Sequence, residues 1–113
     1  MKRITVNFII AWNTCKVLFE ALSNPHRLKI ISVLCMGRQY VSQLARDTEM
    51  SRPLLYMHLK KLEQAGIVKS EMELSEDGKA MKYYQLVSFD FHINQEMITR
   101  AVKTLTIQKK EGK

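Results

Sequence analysis

Apolar residues recur at three- to four-residue intervals through most of the first 65 positions, the period of helices that bury one face. Residues 14–22 (TCKVLFEAL) put Val17, Leu18, Ala21 and Leu22 on one side. Ser23-Asn24-Pro25 ends that helix, because Pro25 lacks an N–H and drives Asn24 out of the helical region. Asn24 then caps a second helix, expected over 25–36, with Pro25 at its first position. Its stripe reads Leu28, Ile31, Leu34 and Cys35, widened by Ile30 and Val33, so a central, mostly buried helix is expected. Gly37 is expected to close it as a left-handed cap. A short helix over 41–48 turns Leu44, Ala45 and Thr48 inward. Glu49-Met50 make a turn, with apolar Met50 filling the gap between two helices. Ser51 caps a helix over 52–65, in which Pro53 falls in the first turn, where a missing N–H costs little. Leu55, Leu59 and Leu62 form its buried stripe, and Gly66 stops it.

The period then changes to two. Val68, Ser70, Met72 and Leu74 alternate with Lys69, Glu71 and Glu73, the pattern of a half-buried strand. Asp77-Gly78 marks a hairpin loop over 75–79, and Met81–Val87 returns as a second strand. Helical spacing resumes over 93–108, where Met97, Ala101 and Leu105 line up with Ile98 and Val102 beside them. A short helix, a tight turn, a second helix and then a hairpin predict a mainly α fold with a small β-hairpin wing: a winged helix-turn-helix. The chain divides into an N-terminal extension (1–13), the winged domain (14–88), and a C-terminal dimerisation helix and tail (89–113).

Charge sharpens this picture. The chain of 113 residues carries a formal net charge of +7, an excess that fits a polyanionic partner. Its densest positive stretch is 51–69, where Arg52, Lys60, Lys61 and Lys69 face only Glu63. Cys15 and Cys35 stand apart, with no CxxC or Cys/His cluster, so neither a zinc site nor a disulfide framework is expected. Both thiols are expected to be buried, in a protein of the reducing cytoplasm. The apolar run Phe8–Trp12 is far too short to span a bilayer. It is expected to pack on the domain or on a second subunit. Without a Gly-rich phosphate loop, paired catalytic carboxylates or a nucleophile–base arrangement, no enzymatic activity and no cofactor are expected.

Four segments together resemble the ArsR-type family of winged-helix regulators: ALSNPHRLKI, the S-x-P-x-x-x-x-H-L-x-x-L helix, A-G-I-V, and the G-K-x-x-x-Y-Y-x-L wing. The resemblance covers roughly residues 14–88 and implies a homodimeric, DNA-binding transcriptional regulator, often a repressor released by a ligand. In that family the terminal helices form the dimer interface, which here assigns Val17, Leu18, Ala21, Met97, Ile98, Ala101, Val102 and Leu105. Members that sense metals bear cysteines in the helix matching 41–48, or His and acid clusters at the last helix. Residues 41–48 hold no cysteine and the C-terminal region only His92, so no metal is expected.

The helix over 52–65 is the recognition helix of such a motif. At about 100° per residue, the side opposite its leucines holds Pro53, Met57, Lys60 and Gln64, flanked by Tyr56 and Lys61. Residues near the helix N-terminus reach base edges, which assigns Arg52, Pro53, Tyr56 and Met57 to the floor of the major groove of double-stranded DNA. Lys60 and Lys61 lie further along, at phosphates. Ser51 serves the cap or a phosphate. His58 matches the family histidine at the edge of the buried stripe, where a packed role and a DNA contact both stand. Lys79 and Lys82 are the wing's candidates, set against Glu76 and Asp77. This chain departs from the family pattern in carrying bulkier Leu54 and Tyr56 where small hydroxyl residues are common, and Met57 where a base is common. Thymine-methyl contacts or DNA shape then replace polar readout. The exposed Met57 and Tyr56 also suit a second reading, a winged-helix module that binds another protein in a transcription or signalling assembly. The basic recognition helix favours DNA.

Overall fold

The computed structural model describes the backbone of residues 4–6 and 12–111, and the side chains of residues 13–104. In chain order the elements are β1 (Ile4–Val6), α1 (Trp12–Leu22), α2 (Pro25–Leu34), β2 (Gln39–Tyr40), α3 (Val41–Thr48), α4 (Arg52–Gln64), β3 (Val68–Leu74), β4 (Ala80–Leu86), β5 (Phe89–Phe91) and α5 (Gln95–Glu111). This is the winged helix-turn-helix expected from the residue pattern, with α3 and α4 as the helix-turn-helix and β3–β4 as the wing. Among the described residues no helix is long and apolar enough to cross a membrane.

Local chemistry sets the helix boundaries. Asn24 caps α2, its side-chain oxygen accepting from the N–H groups of His26 and Arg27 at 2.8 and 3.4 Å, with Pro25 opening the helix. Ser51 caps α4 by accepting from the Leu54 N–H. Between α3 and α4, Glu49 takes up a left-handed conformation (φ 59°) and its N–H returns to the last turn of α3. That tight reversal lets Met50 drop into the core at 7% exposure. Gly66, at φ 76°, makes the corresponding turn out of α4 into the wing, a conformation that costs a glycine nothing.

One core lies where α1, α2, α3 and α4 meet the base of the wing. Leu55, Leu59 and Leu62 of α4 are fully buried there with Ile30, Leu34, Leu44, Ile67 and Tyr84. Each of the three leucines contributes roughly 1.5–3 kcal/mol by leaving water, so α4 is held firmly from behind. A second, smaller cluster joins α1 to α5: Cys15, Met97 and Ala101, with Phe19 packed against both clusters.

The sheet has order β2-β4-β3, all antiparallel, with Ser70 opposite Tyr84 and Met72 opposite Lys82.

Several expectations are corrected. Leu28 is 49% exposed, and the buried face of α2 is Arg27, Ile30 and Leu34 instead. The stripe is turned because a charged residue occupies an interior position. Cys15 is buried as expected, but Cys35 is exposed, since α2 ends at Leu34 and Cys35 falls in the turn beyond. Gly37 has φ 141°, so it is not a left-handed cap. Met72 and Leu74 are exposed, because the wing extends past the core that would have covered one of its faces. A strand not foreseen from the sequence, β5, pairs in parallel with β1, Ile4 opposite Phe89. Part of the N-terminal extension therefore packs on the domain; residues 7–11, most of its apolar run, lie outside the described residues.

Candidate nucleic-acid interface

Because its leucine face is buried, α4 presents the opposite side to solvent. Arg52, Pro53, Lys60, Lys61 and Gln64 are all exposed, and Tyr56 and Met57 keep 42% and 50% of their surface. The outward face laid out by helical geometry is therefore open on the structure, from the N-terminal turn onward. Ser51 is exposed beside it but already committed as the cap.

His58 is different. It is 3% exposed, and its Nδ1 lies 3.0 Å from Nη1 of Arg27, with the His26 ring stacked on it at 5.4 Å between centroids. Its ring faces the interior between α4 and α2. Burial lowers its pKa from the ordinary histidine value, and the charge of Arg27, then the neighbouring His26, lowers it further. It belongs to the support of the helix, not to its outward surface.

The wing is fastened to α4 by Ser70, whose hydroxyl donates to Glu63 Oε2 at 3.1 Å. Between the two elements lies an open cleft of about 330 Å³, lined among others by Ser42, Arg52, Tyr56, Met72 and Lys82. Lys82 sits 5.4 Å from the Tyr84 ring, and its pKa is raised chiefly by its hydrogen bond to Tyr84, so it stays a cation. Lys79 is exposed near the wing tip.

The acids of β3 are held on its other face. Glu71 accepts from the Tyr83 hydroxyl. Glu73 accepts from Tyr40 and pairs with Arg38 at 3.4 Å, and Arg38 in turn lies 3.9 Å over the Tyr83 ring. The Tyr40 hydrogen bond, then Arg38, keeps the Glu73 carboxyl below its usual pKa. Side chains alternate along a strand, so Glu71 and Glu73 sit on the opposite face from Met72 and Lys82. The helix–wing cleft is thus lined by cations, neutral hydroxyl-bearing side chains and apolar groups, with the carboxylates of β3 turned away. Sequence reasoning missed Ser42, Met72 and Arg27, because each gains its place only when strand and helix are assembled.

The assigned dimer residues divide into two sets. Leu18 and Ala21 are buried in the main core, and Met97 and Ala101 are buried where α1 and α5 pack on each other. Val17, Ile98 and Val102 remain 40–45% exposed. The Leu105 side chain lies outside the described residues. Among the described residues, no group of three or more His, Cys, Asp or Glu is placed to hold a metal ion.

A capped helix with an open basic and apolar face, followed at once by a two-stranded wing, defines a winged-helix DNA-binding domain. Residues 24–70 match the family described as bacterial regulatory protein, arsR family. The chain is 42% identical over 81 residues to the uncharacterized HTH-type transcriptional regulator MJ0229 of Methanocaldococcus jannaschii, an alignment spanning 72% of this chain and 84% of that protein. It belongs to the ArsR family of winged helix-turn-helix transcriptional regulators. Solved structures share the fold at lower identity. A possible transcriptional regulatory protein of Mycobacterium bovis (fragment 1–100) superposes with a TM-score of 0.58 at 21% identity, covering 86% of this chain and 92% of that one. Its solution structure, as a homodimeric winged helix-turn-helix DNA-binding domain, gives 0.55 at 19%, covering 88% and 82%. The transcriptional repressor BigR of Xylella fastidiosa gives 0.52 at 24%, covering 84% and 86%.

Proposed function

We propose that this regulator is a homodimer that binds double-stranded DNA sequence-specifically and represses transcription by occupying its operator. The observation that carries the reading is the open outward face of α4, which sets Tyr56 and Met57 between Arg52 and the pair Lys60 and Lys61 on a helix anchored by three buried leucines. Arg52, Pro53, Tyr56 and Met57 lie at base edges in the major groove, Met57 and Tyr56 against thymine methyls. Lys60, Lys61, Lys79 and Lys82 meet phosphates. Ser51 acts as the helix cap, and His58 as a buried support.

The dimer forms through α1 and α5, with Val17, Ile98 and Val102 at the seam, and Leu18, Ala21, Met97 and Ala101 shaping the surface behind them. The homodimeric state of the M. bovis domain supports a dimer, and the likeness to BigR, a transcriptional repressor, supports repression. Two recognition helices then meet half-sites about one helical turn, ~34 Å, apart. Repression by occupancy needs no catalytic group and no metal.

The test is duplex binding across salt. Several phosphate contacts release counterions, so affinity falls steeply between low and physiological salt. Absence of duplex binding at low salt overturns the DNA reading and leaves the apolar surface of Tyr56, Met57 and Met72 to a protein partner.

A further inference from the structure

The interior holds a cation that neither the core nor the outward face of α4 explains. Arg27 is 7% exposed. Burying a guanidinium is costly unless its N–H groups find acceptors, and here they do. Nε donates to the Ala21 carbonyl at 2.8 Å, Nη2 donates to the Glu20 carbonyl at 2.8 Å, and Nη1 lies 3.0 Å from His58 Nδ1. The two carbonyls belong to the last turn of α1, the negative end of its dipole. A guanidinium has no acceptor, so its contact with His58 is a hydrogen bond only when Nδ1 is bare and the ring proton sits on Nε2. One side chain of α2 thus joins the end of α1 to the middle of α4.

We propose that Arg27 is a positioning residue for DNA recognition: through His58 it fixes the orientation of α4 relative to α1, and so to the α1–α5 unit. This rests on the reading of α4 as the DNA face and of α1 and α5 as the dimer helices. Leu55, Leu59 and Leu62 hold α4 by burial, which is non-directional and leaves small rotations about the helix axis cheap. A planar fork bound to acceptors on two helices is directional. In a twofold dimer, the angle between α4 and the α1–α5 unit sets the separation of the two recognition helices. The strut therefore governs the half-site spacing the dimer accepts more than its bulk attraction for DNA.

The experiment uses the full chain and three kinds of duplex: those the wild type selects from a random pool, the same with one base pair inserted or removed between half-sites, and scrambled duplexes. Arg27→Met keeps bulk and loses the fork, His58→Leu loses the acceptor, and His58→Asn keeps an oxygen near the place of Nδ1. Arg27→Met and His58→Leu are expected to narrow the wild-type preference for the selected spacing by about tenfold, the scale of one lost hydrogen bond to a charged group. Their low-salt affinity for scrambled duplexes stays unchanged, and His58→Asn retains most of the preference. Folding is checked by circular dichroism. Should Arg27→Met not fold, the His58→Leu and His58→Asn pair carries the same comparison. Imidazole 15N shifts of the wild type are expected to show Nδ1 without a proton, and a protonated Nδ1 overturns the proposal. If wild-type spacing preference survives in the folded variants and only their melting temperature falls, Arg27 is structural and the inference fails alone. A wild type that does not separate selected from scrambled duplexes overturns the DNA reading, and this inference with it.

Discussion

Changing Val17 and Ile98 together to Glu tests the dimer surface without touching the protomer core. Both side chains are exposed in the protomer, at 41% and 45%, so the fold has little to lose at either position. Full burial of a Val or Ile is worth roughly 1.5–3 kcal/mol. With a little under half of each surface left to bury, each contributes about 1 kcal/mol on association. Twofold symmetry places each residue in the interface twice, giving about 4 kcal/mol lost from apolar burial alone. Four introduced carboxylates, desolvated near their symmetry mates, add to that loss. The dimer dissociation constant is therefore expected to rise by about a thousandfold or more. Sedimentation or light scattering at micromolar concentration should show a monomer with an unchanged circular dichroism spectrum. A folded double mutant that remains dimeric refutes the α1–α5 interface. Met97→Glu would not make this distinction. Met97 is 8% exposed and its sulfur lies 3.9 Å from that of Cys15, so a charge there would damage the protomer itself.

Other outcomes follow from the same geometry. Leu59→Ala removes a fully buried side chain behind the recognition helix, and denaturant unfolding should show a loss of about 2–5 kcal/mol. His58 has a lowered pKa in the folded chain, by burial and by the neighbouring Arg27 and His26, so the unfolded chain takes up its proton first as pH falls. Its contribution is complete above the ordinary histidine pKa and declines as pH drops from there through the lowered folded value. Unfolding measured between pH 7 and 5 should follow that slope and flatten in His58→Asn; equal slopes in both contradict it. Elemental analysis of purified protein should find no stoichiometric zinc, and one tightly bound metal per chain would overturn the metal-free reading.

The sequence carried those parts of the fold that depend on neighbours along the chain. Asn24-Pro25 and Ser51 mark helix starts by hydrogen bonds to N–H groups two or three residues away, and α3 falls on the expected residues 41–48. The outward face of α4 was likewise legible, because it follows from helical period and one buried leucine stripe. What escaped was decided by partners distant in sequence. The buried side of α2 was misread because Arg27, polar by composition, is interior through its bonds to Glu20, Ala21 and His58. Met72 and Leu74 carry the alternation of a covered strand, yet none of the described residues reaches far enough to cover them. The β1–β5 pairing joins three-residue strands far apart in the chain, and neither is long enough to show a period.

The central claim is that the outward face of α4 reads DNA sequence, with base contacts in its first half and phosphate contacts further on. Its most direct test compares Met57→Ala and Lys60→Ala on selected and scrambled duplexes over a range of salt. Met57→Ala is expected to lose roughly 1–3 kcal/mol of discrimination at one or two base positions, with the salt slope unchanged. Lys60→Ala is expected to weaken binding to all duplexes alike and to lower the salt slope by about one unit. If Met57→Ala leaves the ratio of selected to scrambled affinity at its wild-type value, the assignment of this face to the groove floor is wrong, even in a protein that still binds DNA.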